Sequence, residues 1–158
     1  MQDKIDAFLE DFRKWSQTIG IPTIDSVNEE EILNISNSTY SDLSRMSLEE
    51  LSNSYCSIMK FMNNLSSSIN ELQTVFDYCD SSINYIICDK ILRMDGYAKT
   101  EIKVMHCIKS DDFCKSLLKI QNDAKSKLNY LKDRMAFFTK MSDMIDSITK
   151  RKIYDRSN

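Results

Sequence analysis

The chain has 158 residues, a formal net charge of −3, only two glycines and one proline. So little Gly and Pro leaves too few positions for the tight turns of an all-β or alternating α/β fold, and its length suits a single domain with its own core. No stretch approaches the ~20 apolar residues of a membrane span, and the acidic start "MQDKIDAFLEDFRKW" lacks the pattern of a signal peptide.

Residues 2–19 place Ile5, Phe8, Leu9, Phe12, Trp15 and Ile19 on one helical face, with Gly20 as a stop and Pro22 just beyond it. From Ile21 to Met46 the chain is rich in Ser, Asn, Asp and Glu. It reads as an acidic linker or arm, carrying one short helical turn around "NEEEILNI" with Asn28 as its cap. Residues 1–46 thus form an amphipathic helix plus a polar arm, and residues 47–158 a separate helical hairpin.

Ser47 opens that hairpin. In "SLEEL" Ser47 and Glu50 have the spacing of a capping box, in which each side chain satisfies the other residue's free backbone N–H. After it Leu48, Leu51, Tyr55, Ile58, Met62, Leu65, Ile69, Leu72, Phe76, Cys79, Ile83 and Ile86 alternate steps of three and four. This heptad seam predicts a helix over 47–95, ~70 Å long at 1.5 Å per residue and ended by Gly96. A short helix over 97–109, "YAKTEIKVMHCIK", follows.

"SDD" at 110–112 then offers a cap and two carboxylates for the start of a second long helix, 110–153. Its seam runs through Phe113, Leu117, Ile120, Ala124, Leu131, Phe138, Met141, Ile145 and Ile148, widened by Leu128 and Met135 and continued by Ile153. The expected fold is therefore all-α: a long antiparallel, coiled-coil-like hairpin with an N-terminal helix and a polar arm. Tyr78, Tyr85, Ile87, Ile91, Met59 and Phe61 lie off the first seam, and Leu118 and Phe137 off the second. Homo-oligomerisation would bury them.

Catalytic and cofactor patterns are missing from the sequence. Cys56, Cys79, Cys88, Cys107 and Cys114 form no CxxC pair and are odd in number, so reduced thiols in a cytoplasmic chain are expected, with no metal. The single histidine, His106, has no relay partner in the pattern, and two glycines cannot make a phosphate-cradling loop. No enzyme and no cofactor are expected.

Charge is unevenly placed. Residues 1–49 hold ten acids and four bases, net −6; residues 50–96 hold six acids and three bases, net −3; residues 97–158 hold eight acids and fourteen bases, net +6. Either the basic half meets an acidic partner, or a basic helix folds back along an acidic one. Lys90, Arg93, Lys99 and Lys103 flank the break between the long helices, with Tyr97 among them, and Lys150, Arg151, Lys152 and Arg156 close the chain beside Tyr154. Clustered bases with aromatics suit single-stranded nucleic acid. The alternative for the closing cluster is local: bases are favourable at the carbonyl end of a helix.

The stretch "KTEIKVMHCIKSDD", the long helix after it and the closing "MIDSITKRKIYD" resemble the UvsY-like recombination mediators of tailed phages. Those mediators likewise have a short Glu-containing segment with a following Lys, then a long helix ending in a basic I..R..I stretch, matched here by Ile148, Arg151 and Ile153. The similarity runs from about Leu48 to the end. It implies a non-catalytic oligomer that binds single-stranded DNA and helps load a RecA-like recombinase. The family's basic DNA-contacting stretch lies in its first long helix, where this chain offers Lys90 and Arg93. Two other expectations stand beside this one: a virion structural or assembly adaptor protein docking on other virion proteins, and a generic coiled-coil interaction module. Host cytoplasm is the expected location for the first and the virion for the second.

Overall fold

A computed structural model of the chain describes residues 3, 5–7, 9–11, 14, 28–94 and 99–157. Its helices, in order, are α1 (Glu29–Asn37), α2 (Tyr40–Arg45), α3 (Leu48–Leu92), α4 (Thr100–Lys109) and α5 (Asp112–Ser157). The described residues between 3 and 14 are also helical, with Ile5 buried. Phe8, Phe12, Trp15, Ile19, Gly20, Pro22, Gly96 and Tyr97, named above as face, stop and break residues, lie outside the described residues.

The starts of these helices follow from side chains that satisfy free backbone N–H groups. The Asn28 side chain accepts from the N–H of Glu31 at 3.4 Å. Thr39 and Asp42 form a full capping box on α2, with the Thr39 N–H donating to Asp42 Oδ2 at 2.9 Å and the Asp42 N–H to Thr39 Oγ1 at 3.3 Å. Ser47 and Glu50 do the same for α3, at 2.6 and 3.2 Å. Asp111 begins α5, its Oδ1 accepting from the N–H groups of Phe113 and Cys114 at 3.0 Å each. The "SDD" cap is therefore Asp111, while Ser110 ends α4 and turns its hydroxyl to the Cys107 carbonyl at 2.9 Å.

The chain divides into two compact units, and within each a part of α3 packs antiparallel to a part of α5. Unit 1 comprises Met1–Ser68 with Leu131–Asn158; unit 2 comprises Ile69–Tyr130. In unit 1 the order of contacts is antiparallel: Lys152 Nζ donates to the Met46 carbonyl at 2.7 Å, Ser142 Oγ stands 4.0 Å from Met59 Sδ, and the rings of Phe61 and Phe138 meet edge-on with centroids 4.7 Å apart. α1 and α2 lie on this helix pair. Ser57 Oγ donates to Glu31 Oε1 at 2.6 Å, and Ile32, Ile35 and Leu43 join one core with Leu51, Ile58, Leu65, Phe138, Met141, Ile145 and Ile148. Met46, Met62, Met135 and Met144 fill the rim of that core, where unbranched thioethers fit irregular gaps. Each fully buried aliphatic side chain contributes roughly 1.5–3 kcal/mol by leaving water.

The segment expected as a polar arm is thus corrected from residue 28 onward: the short helix expected after Asn28 is there as α1, but it runs to Asn37, a second helix, α2, follows it, and the apolar residues of both complete the core of unit 1. Ile32 and Ile35 stand three apart on one helical face, and Thr39 with Asp42 carries the start signal for α2.

Unit 2 holds the second part of α3, α4 and the first part of α5. Gln121 Nε2 donates to Asp80 Oδ1 at 3.0 Å and Lys90 Nζ to Asp111 Oδ2 at 2.6 Å, which fixes the same antiparallel sense. Val75, Cys79, Ile83 and Ile87 from α3 are buried, as are Cys107 and Ile108 from α4 and Cys114, Leu117, Ala124 and Leu128 from α5.

The buried faces are wider than the heptad seams, and in places displaced from them. Tyr55, expected on the seam, is 37% exposed, and its neighbour Ser54 is buried instead. Ile87 rather than Ile86, Val75 rather than Phe76 and Cys114 rather than Phe113 are the buried members of their turns, and Ile153 is exposed. A seam of steps three and four describes a helix facing one partner. Here a third element adds to each helix pair: α1 through Ser57 and Glu31 in unit 1, α4 through Cys107 and Met94, whose sulfurs stand 3.6 Å apart, in unit 2. The buried arc turns toward it.

Candidate nucleic-acid interface

The eight bases singled out in the sequence fall into two groups, one in each unit. In unit 2 Lys90 lies in the last turn of α3 and pairs with Asp111. That hydrogen bond, with the N–H groups of Cys114 and Phe113 on the same carboxylate, lowers the Asp111 pKa from 3.8 to about 2, and Asp111 in turn raises that of Lys90. Lys103 Nζ donates to the carbonyl of Met94 at 2.8 Å, so it closes the chain just past α3. Lys99 stands at the start of α4 with no side-chain cap bond, and its carbonyl accepts from Ile102 and Lys103. Arg93 is exposed in the turn after α3.

In unit 1 Lys150 pairs with Asp146 at 2.6 Å, one turn back on α5, and this bond raises its pKa. Arg151 reaches Asp155 only at 4.0 Å. Lys152 is spent on the Met46 carbonyl, and its charge also helps lower the pKa of Glu50, after the two hydrogen bonds from Ser47. Arg156 is exposed in the last turn of α5, where the helix dipole favours it.

Five of the eight predicted contacts therefore have an oxygen partner within their own unit: Lys90, Lys103, Lys150, Lys152 and, at the longest distance, Arg151. Arg93, Lys99 and Arg156 are exposed and make no ion pair with another described residue. Lys109, at the end of α4, belongs with Arg93 and Lys99 in unit 2 and was not singled out from the sequence. Its place follows from α4 being a separate helix whose C-terminal turn favours a base.

The predicted seam residues are distributed as follows. Leu51, Ile58, Leu65, Ile83, Leu117, Phe138, Met141, Ile145 and Ile148 are buried. Met62, Ile69, Leu72, Phe76, Ile86, Ile120 and Leu131 are half-buried. Of the off-seam residues, Ile87 is buried, whereas Tyr78 and Tyr85 stay exposed and line an open groove of ≈ 480 Å³ in unit 2 with Ser81, Ser82, Ile86 and Phe113.

Among the described residues no group of three His, Cys, Asp or Glu is placed to hold a metal ion, and no helix is long and apolar enough to cross a membrane. All five cysteines are free thiols: Cys79, Cys107 and Cys114 are buried, Cys56 and Cys88 exposed. Burial pushes the Cys79 and Cys114 thiols up, away from the reactive thiolate. Comparison with known protein families, curated proteins and solved structures finds no match to this chain.

Proposed function

We propose that this chain is a non-enzymatic accessory protein of phage DNA recombination or replication, which binds single-stranded DNA, assembles with copies of itself and helps load a RecA-like recombinase. The observation that supports this reading is that Arg93, Lys99 and Lys109, all in unit 2, are exposed, Lys99 and Lys109 standing at the two ends of α4. None makes an ion pair among the described residues, and Lys99 and Lys109 belong to the segment that carries the resemblance to the mediators. A phosphate can recruit such a cation directly, whereas Lys90 or Lys150 must first release a carboxylate.

Fluorescence anisotropy with a labelled oligothymidine across a salt series tests it. Binding should weaken steeply with salt, with a log–log slope of about −0.7 per phosphate neutralised. Replacing Arg93, Lys99 and Lys109 together by Gln should flatten that slope by roughly 2. Absence of binding at low salt would sink the reading. The second reading, a virion structural or assembly adaptor, draws support from the exposed tyrosines of the unit 2 groove, and it predicts that same absence of binding.

A further inference from the structure

Tyr78, Ser81, Ser82 and Tyr85 stand at i, i+3, i+4 and i+7 on α3. Four positions with that spacing form the hole that receives one side chain from a facing helix in a coiled coil. The two serines make a low floor and the tyrosine rings close its ends, about 10 Å apart along the axis. Ile86 and, from α5, Phe113 complete the wall. The hole is open: Tyr85 is 83% exposed and Phe113 52%.

Along α3 the charge beside it is acidic, and the nearest bases, Lys90 and Lys115, are each paired with an aspartate. From Phe61 to Asp89 the chain carries Glu71, Asp77, Asp80 and Asp89 and no Lys or Arg. Lys115, two residues past Phe113, is held by Asp112 at 2.7 Å. This surrounding repels a phosphate backbone and suits an apolar side chain on a helix with basic neighbours. The chain carries such a helix end itself. In the last turns of α5, Ile153 is 51% and Tyr154 69% exposed, and four bases, Lys150, Arg151, Lys152 and Arg156, stand around them against two acids, Asp146 and Asp155, so this end stays net positive.

We propose that the C-terminal turns of α5 in one copy dock in the Tyr78–Tyr85 groove of a second copy, with Ile153 as the residue that enters the hole. Each copy offers a groove and a helix end, two different surfaces, so the contact is head-to-tail and repeats into a ring or a filament. Screening of the facing charges weakens it as salt rises. The inference rests on the self-assembly in the reading above and supplies its interface.

Sedimentation velocity of the full chain tests it. The wild type should sediment as species heavier than the monomer, and Tyr85→Asp and Ile153→Asp should each sediment as monomers. Both sites are exposed, so both variants should keep their helical circular dichroism. The decisive sample is an equal mixture of the two. It contains an intact helix end on one variant and an intact groove on the other, so it should form a dimer and nothing larger. A monomeric wild type, assembly unchanged in either variant, or a mixture that stays monomeric would overturn the proposal. Both variants keep all eight predicted DNA-contacting bases, so oligothymidine binding by the wild type and the variants judges the DNA reading separately.

Discussion

Ile145 offers the sharpest test of the core of unit 1. It is 0% exposed and shares that core with Ile58, Phe138, Met141 and Ile148. Ile145→Ala removes three carbon atoms from a site closed to water, about 2.4 kcal/mol at 0.8 kcal/mol per buried methylene. A residual cavity adds to this, but the flexible side chains of Met141 and Met144 can move in, so the addition should stay near ~1 kcal/mol. Alanine's better helix propensity returns roughly 0.4 kcal/mol. The net cost is about 3 kcal/mol, a large part of the 5–15 kcal/mol that holds a typical domain folded. The comparison is Ile102→Ala on α4, where the same side chain is 60% exposed and the lost burial and gained propensity nearly cancel. Urea unfolding followed by circular dichroism reads both. With a slope of about 2 kcal/mol per molar, Ile145→Ala should lower the midpoint by about 1.5 M. If its midpoint falls no further than that of Ile102→Ala, Ile145 does not belong to a closed core.

Two further outcomes follow from the helix starts. Ser47→Ala removes the hydroxyl that accepts the Glu50 N–H and should cost about 1 kcal/mol in the same urea assay; no loss at all would mean that the capping box contributes nothing to α3. The Asp111 carboxyl, at about 2 when folded against an ordinary 3.8, stabilises the fold above pH 4 and loses that contribution as the pH falls toward 2. Asp111→Asn should therefore flatten the acid limb of a thermal melt series between pH 4 and 2, and an unchanged limb would show that the pair with Lys90 adds nothing to stability.

Much of this architecture was legible in the sequence because its signals are local. The Ser47–Glu50 box, the Asn28 cap and the apolar periods of α3 and α5 each depend on residues a turn apart. The burial of the arm is not legible, because Ile32, Ile35 and Leu43 are too few to announce a buried face and are covered by α3 and α5, distant in sequence. The choice of Ser54 over Tyr55 and of Cys114 over Phe113 is tertiary in the same sense. A two-helix seam does not record where a third helix will lie. For the candidate interface, the sequence located the bases but not their partners. That Lys103 and Lys152 serve backbone carbonyls at Met94 and Met46 depends on chain reversals that no periodicity encodes.

The thioethers around the core of unit 1 carry a chemical liability that aliphatic residues would not. Met46, Met62, Met135, Met141 and Met144 bear on the same aliphatic side chains, and oxidation turns each sulfur into a polar sulfoxide. Placing that polar group among aliphatic side chains costs free energy, so peroxide damage would loosen unit 1 from its rim inward. Within unit 1, Met59, more exposed and outside that core, meets an oxidant before those methionines do.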